Sequence, residues 1–73
     1  MSSYYLKNKD KGLYLKNIDT EKETIEFTKN VNDAKPYPNG QWFAETELEF
    51  AQFHFPQEEE TLSKMECVYE EDE

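Results

Sequence analysis

The stretch YYLKNKDKGLYLKNI, residues 4–18, decides the N-terminal half of the fold. Residues 4–8 and 13–18 are rich in residues that favour β-strands, and the loop between them ends in Gly12. A short loop that ends in glycine is typical of a hairpin built on a type I turn, because glycine adopts positive φ without strain. The stretch therefore predicts a β-hairpin in which Gly12 is a structural turn residue.

A third strand is predicted over residues 24–28, after a turn at residues 19–22. Ile25 and Phe27 alternate with polar residues, which indicates a strand with one apolar face. The economical arrangement is an antiparallel meander that continues the hairpin.

Residues 30–35 offer an Asn or Asp cap and one helical turn, which Pro36 and Pro38 prevent from extending. The cluster at residues 36–40 is rich in proline and glycine, and Gly40 is a second candidate turn residue. This cluster separates two regions of very different charge.

Charge is distributed unevenly along the 73 residues, whose formal net charge is −9. Residues 1–35 carry seven lysines and six acids, whereas residues 36–73 carry one lysine and eleven acids. A negative field repels nucleic-acid backbones and attracts basic surfaces, so we expect no direct binding of nucleic acid. The alternative is that the acids only keep an aromatic-rich protein soluble.

Residues 41–55 fit either a helix or a strand, and the helix is favoured. Thr46 can cap a helix while Glu49 returns the hydrogen bond, as in a capping box. We therefore predict a helix from about Thr46 to Phe55, with residues 41–44 extended. Its apolar face would consist of Leu48, Ala51 and Phe55.

The strand alternative rests on a two-residue period in which apolar residues alternate with glutamates up to Glu49. A bulge near residues 51–52 would bring Phe53 back into phase. The helix has a weakness of its own, because Phe50 and Phe53 fall away from its predicted apolar face and leave a broad apolar stripe.

The C-terminal part predicts a solvated loop over residues 57–60 and a last strand over residues 61–69. The resulting fold class is a small α+β domain, in which one helix packs on a three-stranded meander extended by the C-terminal strand. We expect a single domain over residues 1–69 and a frayed acidic tail over residues 70–73.

Several classes of protein are excluded or disfavoured by composition. Cys67 is the single cysteine, so no disulfide can form within the chain, and cysteine and histidine are too few for a four-ligand zinc site. No apolar run approaches the length of a membrane span, so we expect a cytoplasmic protein. His54 and Cys67 follow no catalytic spacing rule, so we expect no enzymatic activity. We also expect neither a cofactor nor a metal.

Candidate binding residues come from the acidic half of the chain. A regular array of carboxylates on a rigid domain can stand in for the phosphates of a duplex, and exposed aromatic residues are frequent anchors at protein interfaces. The candidate carboxylates are Glu45, Glu47, Glu49, Glu58, Glu59 and Glu60, and the candidate aromatic anchors are Tyr37 and Trp42.

Three segments carry a resemblance to a known class of proteins: YLKNK at residues 5–9, KGLYLKN at residues 11–17 and FTKNVNDAK at residues 27–35. Over residues 4–35 the chain resembles short phage- and prophage-encoded accessory proteins of low-GC Gram-positive bacteria. The resemblance implies a protein that binds and disables host machinery, such as CRISPR nucleases, restriction enzymes, polymerases or repair enzymes. It implies no catalytic residues.

The leading hypothesis is a non-enzymatic phage-type inhibitor, anti-CRISPR or anti-restriction in its sharpest form. Its acidic C-terminal half would dock, as a DNA mimic, on the basic surface of a host nuclease or another nucleic-acid enzyme. One alternative is an interaction or assembly module that works through exposed aromatic residues, as a monomer or a homodimer. Another is an acidic, antitoxin-like partner of a basic toxin.

Overall fold

Four strands form one antiparallel sheet in the computed structural model, which describes residues 2–38 and 40–71. They are β1 (Ser2–Asn8), β2 (Leu13–Asp19), β3 (Thr24–Thr28) and β4 (Met65–Glu71), arranged in the order β3-β2-β1-β4. The helix α1 (Gln41–His54) packs on one face of the sheet, and the short helix α2 (Glu59–Leu62) leads into β4. The predicted small α+β fold is confirmed.

The hairpin of β1 and β2 turns where the sequence predicts. Gly12 has a φ of 65°, in the left-handed region that favours glycine. The side chain of the buried Asn8 makes two hydrogen bonds at this turn: its Oδ1 accepts the N–H of Lys11 at 3.1 Å, and its Nδ2 donates to the Thr61 carbonyl at 3.0 Å. One asparagine therefore ties the hairpin loop to α2.

The strands β1 and β2 pair beside their turn and then separate, and residues 35–37 fill the gap between them. The N–H of Lys35 donates to the Leu15 carbonyl at 3.0 Å, and the N–H of Tyr37 donates to the Tyr4 carbonyl at 2.9 Å. Because these bonds satisfy the backbone of both strands, the segment that leads to α1 is held in the body of the sheet.

Two apolar clusters lie on opposite faces of the sheet. The smaller one, on the face away from α1, contains Tyr5, Tyr14 and Ala34. The larger one lies under α1 and α2 and contains Leu6, Leu15, Tyr37, Ala44, Ala51, Phe55, Leu62 and Met65. The two predicted apolar residues of β3, Ile25 and Phe27, pack against the larger cluster.

The helical interpretation of residues 41–55 is correct, but the predicted start of the helix is wrong. The first turn of α1 begins at Gln41, and Gly40 precedes it with a φ of 108°. Thr46 does not cap the helix, since its Oγ1 donates to the Trp42 carbonyl at 2.9 Å in the preceding turn. Burial of Ala44 against the core explains why the helix extends so far toward its N-terminus.

The predicted loop over residues 57–60 is also wrong, because this segment is helical. Residues Pro56–Glu58 form a 3₁₀ turn, and α2 follows at once. Proline suits the first position of a helical turn, and the side chain of Leu62 is completely buried. The burial of Leu62, four positions after the turn, therefore stabilises a helix here in spite of the high charge of the segment.

The last strand begins later and ends later than the sequence predicts. It starts at Met65 instead of residue 61 and continues through Glu71, so the first two residues of the predicted tail pair with β1. The Tyr14 hydroxyl donates a hydrogen bond to the Glu70 carboxylate, which adds a side-chain tie to the backbone pairing. Residues 72–73 of the predicted tail lie outside the described residues.

Candidate functional site

The outer side of α1 exposes four large aromatic side chains. Trp42 and Phe53 are 76% and 81% exposed, and Phe43 and Phe50 are 46% and 41% exposed. We call these four residues the aromatic face. Soluble domains seldom leave several large rings together in water, so the aromatic face is the candidate site of this structure.

Helical geometry arranges the aromatic face in two rows. Trp42 and Phe53 are eleven residues apart, which corresponds to about three turns and about 16 Å along the axis. Phe43 and Phe50 are seven residues apart, which corresponds to about two turns and about 10 Å. The rings therefore line one broad side of α1 from its first turn to its last.

The second row borders a groove between α1 and the end of β2. Ile18 and Thr20 form the sheet side of this groove, and Trp42, Phe43 and Phe50 contribute to its helix side. The groove has a volume of about 510 Å³. Its lining also includes Thr46 and Glu47, so it combines apolar walls with a few polar atoms.

A different side of α1 carries Glu45 and Glu49, which we call the acidic edge. The two residues are four positions apart, so their side chains lie one above the other. Gln41 Nε2 donates to Glu45 Oε1 at 2.9 Å, and among the described residues no lysine Nζ lies within 4.0 Å of either carboxylate. Gln52 lies on the same side of the helix and borders a shallow hollow with Glu59, which continues the negative charge toward α2.

Glu47 has a different environment from its two neighbours in sequence. Its side chain is 17% exposed, and its Oε1 lies 2.6 Å from Lys35 Nζ. This ion pair connects α1 to the segment that fills the gap between β1 and β2. Glu47 therefore has a lysine partner within the molecule, which Glu45 and Glu49 lack in the described part of the chain.

The other predicted glutamates lie around α2 and do not form one row with those of α1. Glu58 is half-buried in the 3₁₀ turn, and Glu59 is exposed at the start of α2. Glu60 is exposed and lies 3.9 Å from Lys11 Nζ. Since residues 45–49 are helical, the regular two-residue row that a strand would form does not exist.

Tyr37, predicted as an exposed anchor, is instead 1% exposed. Its ring lies under α1, and its hydroxyl has no hydrogen-bond partner among the described residues. Burial raises the pKa of this hydroxyl far above its ordinary value, and the nearby Glu47 carboxylate raises it further. Tyr37 thus belongs to the core, and Trp42 is the predicted anchor that reaches the surface.

His54 is the last residue of α1, and Cys67 lies on β4. The His54 ring packs against Phe50 and Phe53, with ring centroids 4.1 Å and 5.4 Å apart. Cys67 is half-buried on β4, where burial and the Glu45 charge raise the pKa of its thiol. A raised pKa lowers the fraction of nucleophilic thiolate at neutral pH.

Within residues 2–38 and 40–71, no cluster of three or more His, Cys, Asp or Glu side chains could hold a metal ion. No helix in this part of the chain combines the length and the apolar character needed to cross a membrane.

Sequence reasoning missed most of the aromatic face. It identified Trp42, but it assigned no binding role to Phe43, Phe50 or Phe53. The signal that could have found them was the broad apolar stripe of the predicted helix, which is wider than one packed face requires.

Comparisons with protein-family models, with curated proteins and with solved structures found no significant match to this chain.

Proposed function

We propose that this protein is a non-enzymatic binding protein that docks on a positively charged surface of another protein. The contact would be made by the aromatic face, with Trp42 and Phe53 at its centre, and by the acidic edge beside it. The observation that carries the proposal is the exposure of four large rings on one side of α1.

The energetic argument starts from the rings. Tryptophan and phenylalanine bury large apolar areas when a partner covers them, and interface hot spots favour tryptophan in particular. Trp42 and Phe53 contribute little to the core of this domain, because more than three quarters of each side chain remains in water. The free energy gained by burying these two rings is therefore available for binding a partner.

Charge supports a basic partner. Residues 36–63 contain six glutamates and no lysine or arginine, and α1 lies entirely within that segment. A partner with lysine and arginine beside an apolar surface would gain from both parts of the site, and long-range attraction would speed the encounter. A second copy of the chain is disfavoured as the partner, since each copy carries a net charge of −9.

The more specific form of the proposal is inhibition of a host nuclease or another nucleic-acid enzyme in the cytoplasm. Two features support it: the acidic charge of the C-terminal half and the resemblance of residues 4–35 to phage-encoded accessory proteins. Such enzymes hold their substrates in basic grooves, and an acidic domain seated there would exclude nucleic acid. An anti-CRISPR or anti-restriction role is the sharpest version.

The test is affinity capture from the lysate of a low-GC Gram-positive bacterium, with matched aromatic variants as bait. We expect wild type to retain a basic nucleic-acid-binding protein that W42A and F53S lose. The control is Y69A, which removes a ring that is also well exposed but lies on β4. The wild-type complex should weaken steeply between low and high salt, because exposed charges are screened.

Two results would contradict the proposal. The first is retention of the same proteins by W42A, F53S and wild type. The second is binding to a basic protein that does not change with salt. A purified partner then allows the inhibitor hypothesis itself to be tested. An inhibitor must reduce the partner's cleavage or binding of DNA in proportion to the amount of complex that forms.

A further inference from the structure

We propose that the groove between α1 and the end of β2 binds an amphipathic basic helix of the partner. This inference rests on the proposed function and adds the structural class of the segment that is recognised. The groove would hold the apolar side of that helix between Ile18 and Phe50, and lysine or arginine on its flanks would face the surrounding carboxylates.

The length of the groove fits a helix. Its helix side runs from Trp42 to Phe50, eight residues or about 12 Å along the axis of α1. Apolar side chains at positions i, i+3 or i+4, and i+7 of a bound helix span about 10 Å, so three anchors fit along it. The volume of about 510 Å³ is large enough for several aliphatic side chains, which makes a single anchor an incomplete match.

Backbone hydrogen bonding favours a helix over an extended peptide. Beside the groove, Ile18 and Asp19 of β2 pair with β3, so that edge of the strand is already occupied. The opposite side of the groove is the side of α1, which offers no strand edge. An extended peptide would leave its N–H and C=O groups without protein partners, whereas a helix satisfies most of its own.

Charge around the groove favours a basic helix. Glu47 lies in its lining, and Glu23 lies with Thr20 and His54 in the adjoining hollow. Within the described residues, no lysine Nζ lies within 4.0 Å of Glu23. Lysines on a bound helix could therefore approach the Glu23 carboxylate on the sheet side, whereas Glu47 on α1 is already paired with Lys35.

The experiment uses Trp42, which is the single tryptophan of the chain and stands at the groove. The probe is a synthetic amphipathic helix built only of leucine and lysine, titrated into the full chain while Trp42 emission is recorded. We expect a blue shift on binding. Two control peptides, with glutamate replacing lysine and with alanine replacing leucine, should bind at least about tenfold more weakly.

Two variants separate binding in the groove from non-specific binding to exposed rings. F50S removes a ring that lines the groove, and Y69S removes an exposed ring on β4, outside the groove and outside the aromatic face. F50S should weaken the leucine–lysine peptide about tenfold, whereas Y69S should change its affinity less than about threefold. Circular dichroism and thermal unfolding establish that each variant is folded.

A second variant keeps the test independent of Phe50. Thr46 is exposed and borders the groove, so T46K places a positive charge there without removing a core contact. It should weaken the basic peptide, and T46E should strengthen it. Equal binding by wild type, F50S and T46K would overturn the inference, as would equal losses in F50S and Y69S.

The outcomes also separate this inference from the proposed function. One outcome is that F53S loses a captured partner, but F50S and wild type bind the leucine–lysine peptide with equal affinity. The proposed function then stands and the groove inference fails. If the peptide depends on Phe50 but no partner depends on Trp42 or Phe53, the groove is a helix-binding site and the proposed docking surface is wrong.

Discussion

The inner and outer sides of α1 are both apolar, but the side chains that they carry differ in size and in exposure to solvent. The inner side packs on the sheet through Ala44 and Ala51, which are completely buried, and through Phe55 at its end. The outer side carries the four larger rings of the aromatic face. Small residues let a helix approach a sheet closely. On the outer side, Trp42 and Phe53 are more than three quarters exposed and contribute little to folding.

The largest test of this difference compares two phenylalanines two residues apart. Phe55 is 2% exposed and Phe53 is 81% exposed. We expect F55A to lower the free energy of unfolding by ~3–5 kcal/mol through lost burial and a cavity. F53A should change it by less than ~0.5 kcal/mol. Urea unfolding followed by circular dichroism measures both, and similar losses would remove the distinction between the two sides.

The second test adds bulk to each side. A44L places a larger side chain where the helix touches the core, and we expect a loss of ~1–3 kcal/mol from overpacking. T46L makes a comparable addition at an exposed position and should alter stability by less than ~0.5 kcal/mol. Equal stability of A44L and wild type would mean that α1 does not approach the sheet closely.

The third test concerns Tyr37, buried beneath the inner side. Its pKa is raised by burial and by Glu47, so above about pH 10 the unfolded chain loses a proton that the folded chain keeps. Below about pH 10 the hydroxyl is protonated in both states, and its contribution to the free energy of unfolding is fully present. As the pH rises further, the free energy of unfolding should fall by up to ~1.4 kcal/mol per pH unit.

Y37F should reduce this alkaline loss. At pH 7 it should be neutral or slightly stabilising, because the hydroxyl it removes is buried without a hydrogen-bond partner in the described residues. Urea unfolding between pH 7 and pH 11 provides the measurement. An unchanged slope in Y37F would show that other groups dominate alkaline unfolding.

The smallest test compares two glutamates of α1. E47Q breaks the half-buried ion pair with Lys35 and should cost up to ~1 kcal/mol, with the loss reduced at high salt. E49Q should be neutral or slightly stabilising, since Glu49 has no lysine within 4.0 Å among the described residues and the chain is strongly negative. Chemical unfolding at two salt concentrations distinguishes the two. Destabilisation by E49Q equal to that by E47Q would contradict the assignment of an intramolecular role to Glu47 alone.

The sequence predicts the N-terminal half of the fold better than the C-terminal half, for a local reason. The hairpin depends on Gly12, and β3 depends on the alternation of Ile25 and Phe27, both of which can be read within a few residues. The start of α1 and the existence of α2 depend on burial of Ala44 and Leu62 against distant strands. Local composition predicts an extended segment at the first position, after the proline-rich cluster, and a solvated acidic loop at the second.

The candidate site divides in the same way. The acidic character of residues 36–73 follows from composition alone, and so does the choice of Trp42 as a candidate aromatic anchor. The burial of Tyr37 and the pairing of Glu47 with Lys35 do not, because both arise where residues 35–37 enter the gap between two strands.

By itself, the sequence determined the hairpin, the third strand and the uneven charge, since turn chemistry, side-chain alternation and ionisable groups are local properties. The apolar face predicted for α1 also includes Ala51 and Phe55, which do pack on the sheet. Only the tertiary structure decided that the helix begins at Gln41 and adds Ala44 to that face. That choice depends on how closely the helix backbone can approach the distant strands. Two alanines allow that approach, and the larger rings are left in water, where a partner can reach them.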